Sequence, residues 1–240
     1  VVIIGIGSWS LRESRNPNPG PIDIASVVLS MVGVLCTIAG IKDIAIHGFG
    51  DPWPFGYLAI GLVAGYVFVR RQLVLESPLI DMNLFKIPAF SGAVGADLIS
   101  VFGLMGVYFF LAQQFQLVQG ESPLQSGFQL LPAEIAALIG ALLAARVIRR
   151  LGRRAAIVGG ISLGALGLLG LGVIHLEGNA LVIAAMMSVG LGFGCSLTAT
   201  ADAILAAAPP ERAGAAGAVS ETAYELGAAL GIAILGSILG

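Results

Sequence analysis

The amino-acid sequence predicts an all-α protein that crosses a membrane several times, and three observations support this fold class. Hydrophobic residues make up 57% of the 240 positions and charged residues only 11%, which is more apolar surface than a soluble core of this size requires. Apolar runs of about 20 residues, the length that spans a bilayer, recur along the chain. Almost all of the Lys and Arg residues lie in alternate gaps between these runs.

Seven apolar runs of spanning length follow a shorter one at the start of the chain. They predict transmembrane helices at residues 22–44, 55–69, 88–112, 126–148, 155–175, 180–207 and 213–240. The first stretch, residues 1–7, is too short to span a bilayer. We therefore expect it to be the end of a truncated helix, and the chain to be an internal fragment of a longer protein.

Helix-breaking or charged residues separate the runs. Residues 16–21 read Asn-Pro-Asn-Pro-Gly-Pro, which cannot continue a helix. Residues 51–54, Asp-Pro-Trp-Pro, form a second break of the same kind. Residues 79–86 space their apolar side chains for one helical face, which predicts a short helix along the membrane surface.

The basic residues also predict the orientation of the chain. Eleven of the twelve Lys and Arg residues lie in odd-numbered gaps, and only Lys42 lies in an even-numbered one. Cytoplasmic loops retain Lys and Arg during insertion. The odd-numbered gaps, such as the one around Arg153, are therefore predicted to be cytoplasmic. The gaps around Asp51, Glu121 and Glu177 are predicted to be external.

Several functional classes receive no support from the composition. The net charge is -2 and the basic residues belong to loops, so no nucleic-acid partner is expected. Cys36 and Cys195 lie inside apolar runs and are predicted to be small buried residues rather than a disulfide or metal ligands. We expect no enzyme, no cofactor and no metal, because no nucleophile elbow, phosphate loop or metal motif occurs. Glycines such as Gly190, Gly192 and Gly194 are predicted to let helices pack closely.

Two carboxylates deep within predicted helices are the main functional clue. Asp97 lies about nine residues into its helix, roughly 13 Å along the axis. Glu134 lies at a comparable distance from the external end of its own helix, two residues after Pro132. An ionised group in hydrocarbon costs several kcal/mol unless it faces a wet cavity or a partner. Both residues are therefore candidates for a substrate or proton site, and the alternative is a protonated or Arg-paired structural role.

The last predicted helix adds a second acidic group. Glu221 and Glu225 lie one turn apart on one face, with Tyr224 on nearly the same face. Two carboxylates this close resist double ionisation, so one is expected to hold a proton near neutral pH. The alternative is that both are hydrated near the cytoplasmic end and paired with Arg212 or another loop cation.

A dense basic turn separates two of the helices. Its basic side chains and central glycine are predicted to form a tight connection whose arginines contact helix ends or acidic residues of a neighbouring helix. The residues of this predicted motif are Arg149, Arg150, Gly152, Arg153 and Arg154.

Three segments resemble one family of membrane transporters. Residues 145–154 resemble the cytoplasmic loop G-x-L-A-D-R-x-G-R-R of the major facilitator superfamily, with Ala145 and Arg149 in place of its Gly and Asp. Residues 77–85, Ser-Pro-Leu-Ile-Asp-Met-Asn-Leu-Phe, look like the segment before the second six-helix domain of fourteen-helix drug:proton antiporters of the QacA/EmrB type. Residues 213–227 resemble the penultimate helix of QacA-like exporters, in which acidic residues matching Glu221 have been linked to transport.

This resemblance covers nearly the whole chain and implies an incomplete major facilitator fold, from the end of helix 6 to helix 13 of 14. Residues 1–21 would be the end of helix 6 and a cytoplasmic loop, 22–72 two central linker helices, 73–87 a cytoplasmic interfacial segment, and 88–240 a truncated C-terminal transport domain. The remaining helices of the full-length chain would complete the fold.

The resemblance also implies a function. We expect proton-coupled efflux of amphipathic or cationic drugs, including quaternary ammonium compounds, across the plasma membrane. The lipid bilayer, the small-molecule substrate and protons are the expected partners, and the proton gradient is the expected energy source. Export of a dedicated metabolite or antibiotic is an alternative within transport. A structural or receptor-like membrane protein without transport is an alternative of another class.

Overall fold

The computed structural model describes residues 23–75, 78–173, 180–209 and 212–236. Seven long helices occupy most of these residues, and each is long and apolar enough to cross a membrane. They are α1 (Ile24–His47), α2 (Trp53–Gln72), α3 (Pro88–Gln113), α4 (Pro123–Leu151), α5 (Arg153–Val173), α6 (Ala180–Ala207) and α7 (Ala213–Gly236). The predicted all-α, multi-spanning fold is confirmed. The predicted truncated helix at residues 1–7 and the turn at 16–21 lie outside the described residues.

Local sequence explains where several helices begin. Proline occupies the first turn of α2, α3 and α4, where its missing N–H would have no helical partner. Ser122 precedes α4 and forms a capping box with Gln125. At the other end of α3 the backbone continues into a π-helical turn, Gln114–Val118, so that one span of 31 residues runs from Pro88 to Val118.

Helix α6 lies at the centre of the bundle because its glycines admit close neighbours on two sides. A Cβ added at Gly192 would collide with the backbone of Gly160 and Gly164 on α5. On the opposite side, Gly190 and Gly194 lie directly against the backbone of α4. The prediction that these glycines serve helix packing is confirmed, since a larger side chain would hold the helices apart.

Two other helix pairs also pack closely at glycine residues. Helix α7 packs on α3, and a Cβ added at Gly227 would lie 2.6 Å from the carbonyl oxygen of Leu98. Helices α1 and α2 form an antiparallel hairpin in which Gly61 lies against Thr37. This hairpin also reaches the remaining helices through contacts between α1 and α7.

The segment that leads into α3 differs from the amphipathic surface helix predicted for residues 79–86. Only a short 3-10 helix forms, Met82–Lys86, and the Asp81 side chain caps it by accepting from the Asn83 backbone N–H at 2.9 Å. Leu84 is 2% exposed and packs in a cluster with Phe90 and Ile204. Leu84 therefore anchors this segment in the protein, at the end of the bundle that is predicted to be cytoplasmic.

Three ion pairs join helix ends on one side of the bundle. Arg71 pairs with Asp23, Arg212 with Asp81, and Arg153 with Asp202. All six residues lie at ends that the charge pattern assigns to the cytoplasm. Two hydrogen bonds from the Arg71 guanidinium, at 2.7 and 3.0 Å, hold the pKa of the Asp23 carboxyl well below its usual range, so Asp23 is ionised at neutral pH.

A buried amide links the α1–α2 hairpin to the segment before α3. Gln72 is 2% exposed and donates to the Ser26 hydroxyl at 2.7 Å. Its carbonyl oxygen accepts from the Ile80 backbone N–H at 3.2 Å. Ser26 in turn donates to Asp23 at 2.6 Å, so the network continues to the ion pair with Arg71.

The orientation makes a direct labelling prediction for the full-length protein without its native cysteines. A cysteine in place of Arg154 should react with a membrane-impermeant maleimide only from the cytoplasmic side, and one in place of Phe49 only from outside. Both side chains are exposed, at opposite ends of the helices. Labelling of both cysteines from the same side would contradict the assigned orientation.

Candidate transport site

Asp97 is held in the interior of the bundle by hydroxyl groups from two other helices. Its side chain is 3% exposed, at the α3 depth predicted from the sequence. Thr200 Oγ1 on α6 lies 2.5 Å from one carboxyl oxygen, and Ser220 Oγ on α7 lies 3.5 Å from the other. Because α3 packs on both α6 and α7, a single carboxyl group can reach hydroxyls from each of them.

A second polar contact lies one helical turn along the same α3–α6 interface. The Ser100 and Ser196 hydroxyls are 3.0 Å apart, and both residues are fully buried. Ser100 also contacts the carbonyl oxygen of Ala96 at 2.7 Å. In hydrocarbon such groups must find partners within the protein, so the two contacts together fix the register of α3 against α6.

Glu134 has a different environment from Asp97. Its side chain is exposed, whereas the adjacent Ala133 is 1% exposed and packs against Gly190 of α6. Pro132, just before them, has no N–H to donate and locally weakens the helical ladder of α4. Helix α6 thus fixes the backbone at this level, and the carboxylate lies on the face of α4 that is open in this chain.

Tyr108 on α3 joins the candidate site, although no sequence motif marks it. Its hydroxyl oxygen is buried, and Glu134 of α4 is the carboxylate that acts on it. The only available signal is spacing, because Tyr108 lies eleven residues after Asp97, which places both on one face of α3 about three turns apart.

The acidic residues of α7 complete the group. Glu221 and Glu225 are exposed and Tyr224 is half-buried. Tyr224 lies within electrostatic range of four carboxylates, those of Glu225, Glu221, Asp97 and Glu134. The structure therefore brings all five predicted substrate or proton residues to one region. Arg212 contacts Asp81 instead of the two glutamates of α7.

The basic turn lies where α4 ends and α5 begins, at the side predicted to be cytoplasmic and apart from this acidic group. Gly152 alone connects the two helices with a φ of 85°, a left-handed conformation that favours glycine. Arg153 Nε lies 2.6 Å from Asp202 Oδ2 on α6, so this arginine contacts an acidic residue of a neighbouring helix. Arg149, Arg150 and Arg154 are exposed.

The described residues do not form a metal-binding site. No group of three or more His, Cys, Asp or Glu residues there could hold a metal ion. Cys36 and Cys195 are free thiols, the second of them buried. The described side chains at mid-membrane are suited to binding cations or protons through carboxylates, with tyrosine rings beside them.

Comparison with known proteins identifies relatives among drug-resistance proteins. The multidrug efflux pump LfrA of Mycolicibacterium smegmatis is 38% identical over 98% of this chain and 47% of its own length. The methyl viologen resistance protein SmvA of Salmonella typhimurium is 32% identical over 100% of this chain and 48% of its own. The tetracenomycin C resistance and export protein of Streptomyces glaucescens is 30% identical over 92% and 41%. The chain spans about half the length of these relatives.

The sequence model of the Major Facilitator Superfamily matches residues 3–232, which is nearly the whole chain. The seven helices of spanning length among the described residues agree with that match. The family consists of transporters and not of enzymes. This chain is therefore a multi-pass protein of the plasma membrane and belongs to the Major Facilitator Superfamily.

Proposed function

We propose that the full-length protein exports amphipathic organic cations across the plasma membrane in exchange for protons. One observation supports this most strongly: four carboxylates on three spanning helices lie within electrostatic range of Tyr224. Within the described residues, none of the four forms an ion pair with Lys or Arg. Acidic groups without a basic partner within spanning helices are suited to binding protons or a cationic ligand.

The chemistry of these groups favours exchange. Carboxylates within electrostatic range of one another couple the two ions, because a cation bound at one carboxylate favours loss of the proton from another. Glu134 acts on both Tyr108 and Tyr224, and aromatic rings near a carboxylate attract organic cations. In this proposal the proton gradient supplies the energy and no bound cofactor takes part.

The names of the relatives agree with this substrate class. The Salmonella relative is named for resistance to methyl viologen, which is an organic dication. The Mycolicibacterium relative is named as a multidrug pump. Broad specificity for organic cations is therefore the activity that we propose for the full-length protein.

Export of one dedicated product is a second candidate. Two relatives from Streptomyces species are named for single compounds, tetracenomycin C and puromycin. A transporter of this kind would move one such compound and ignore unrelated cations. The non-transporting alternative has lost its support, since the family is one of transporters.

The proposal is tested by transport into inside-out membrane vesicles that contain the full-length protein. We expect vesicles with an acidic interior to accumulate both ethidium and methyl viologen, and to lose both when nigericin collapses the pH gradient. Vesicles from the same strain without the protein are the control. Accumulation of neither cation would reject the proposal, and accumulation of tetracenomycin C alone would favour dedicated export.

A further inference from the structure

Asp97 and Glu134 differ in accessibility, although the sequence suggests the same role for both. Asp97 is 3% exposed and enclosed between α3, α6 and α7, whereas the Glu134 side chain is exposed. The Glu134 carboxylate lies on the face of α4 that is open in this chain, where an organic cation can approach it. To reach Asp97, an organic cation would have to displace Thr200 and Ser220. A proton can bind Asp97 without displacing either residue.

The hydrogen bonds around Asp97 accommodate both protonation states without movement of the heavy atoms. Thr200 has one hydroxyl hydrogen but two acceptors within reach, the Asp97 carboxyl oxygen at 2.5 Å and the Leu197 carbonyl oxygen at 2.9 Å. When Asp97 is ionised, Thr200 donates to it. When Asp97 is protonated, its own O–H donates to Thr200, and Thr200 donates to Leu197.

Helix α7 connects this enclosed carboxyl group to the open face. Ser220 approaches the second carboxyl oxygen, and the next residue, Glu221, is exposed. Among the described residues, the titratable groups that interact electrostatically with Asp97 are Glu221 and Tyr224, both on α7. Helix α6 contributes the hydroxyl of Thr200. Helix α7 therefore brings the Ser220 hydroxyl to Asp97 and places the next side chain, Glu221, on the open face.

We propose that Asp97 is a proton-binding site distinct from Glu134, which binds the organic cation, and that Thr200 is a positioning residue for the proton. This proposal rests on the proposed function, because it divides the two exchanged species between two carboxylates. Tyr224, within range of both carboxylates, is the group through which occupation of one site affects the other.

The test uses purified full-length protein, ethidium as the probe, and two readouts: ethidium affinity and proton release upon ethidium binding, each measured across pH. Thr200→Val removes the hydroxyl, Thr200→Ser keeps it, and Thr198→Val makes the same change two residues away, where the hydroxyl only contacts the Gly194 carbonyl. We expect Thr200→Val to keep ethidium affinity at high pH within about threefold of the parent. Its pH midpoint of proton release should rise by about one unit, because the ionised carboxylate loses a donor.

Thr200→Ser and Thr198→Val should both release protons with the midpoint of the parent. Asp97→Asn should bind ethidium and release fewer protons than the parent. If Thr200→Val behaves as Thr198→Val does, or if Asp97→Asn releases as many protons as the parent, the assignment of Asp97 is wrong while cation efflux stands. If the parent protein binds no ethidium, the proposed function fails and the division of roles fails with it.

Discussion

Gly190→Ala is expected to destabilise the protein and to reduce transport together. The added methyl group would overlap the carbonyl oxygen of Ala133, so α4 and α6 must separate at that level. Overpacking of this kind costs about 1–3 kcal/mol. Because Ala133 immediately precedes Glu134, the same separation displaces the carboxylate that we propose binds the cation. The unfolding of full-length protein by a denaturing detergent, and ethidium efflux by the variant, would measure the two effects.

Gly159→Ala is the matched control for this substitution. A Cβ at Gly159 meets no atom within 4 Å among the described residues, and the residue lies on an exposed face of α5. Alanine is the better helix former by about 1 kcal/mol, so this variant should be at least as stable as the parent. Equal stability of Gly190→Ala and Gly159→Ala would contradict the close α4–α6 contact.

Glu134→Gln is expected to impair export of dications far more than export of monovalent cations. The substitution removes one negative charge and keeps the shape of the side chain. Coulomb attraction to a dication is twice that to a monovalent cation, and one such interaction contributes about 1–4 kcal/mol in a hydrated or partly hydrated site. We expect methyl viologen efflux by full-length protein to fall about ten times more than ethidium efflux.

Two variants separate this local effect from general electrostatics. Glu121→Gln removes the same charge at the external end, where Glu121 accepts from Gln129, and should leave the ratio of the two efflux rates unchanged. Glu134→Asp keeps the charge and should retain most of the preference for the dication. Equal losses of both cations in Glu134→Gln would remove Glu134 from cation binding.

Much of the fold is predictable from this sequence because each spanning helix must satisfy its own backbone within lipid. Apolar run length therefore places the helices to within about three residues at the described ends, and loop charge predicts their orientation. The packing role of Gly192 is predictable for the same reason, since small residues are the main means by which helices approach one another in a membrane.

The partners of the charged and polar groups were not predictable, because they depend on which helices are adjacent. Asp97 and Thr200 are 103 positions apart in the chain, and no local pattern pairs them. Arg212 finds Asp81 because the segment before α3 lies beside the start of α7. That segment also forms a shorter helix than predicted, since the Asp81 cap starts the turn late and Leu84 is drawn into the core.

The buried Gln72 amide has a mechanical consequence. Its two ends bond to Ser26 of α1 and to the backbone of Ile80, so tilting the α1–α2 hairpin away from the entrance to α3 would strand polar groups where water is scarce. Leaving such groups unpaired costs about 1–3 kcal/mol each. The hairpin should therefore move together with the segment that leads into α3 in any conformational change that the proposed transport requires.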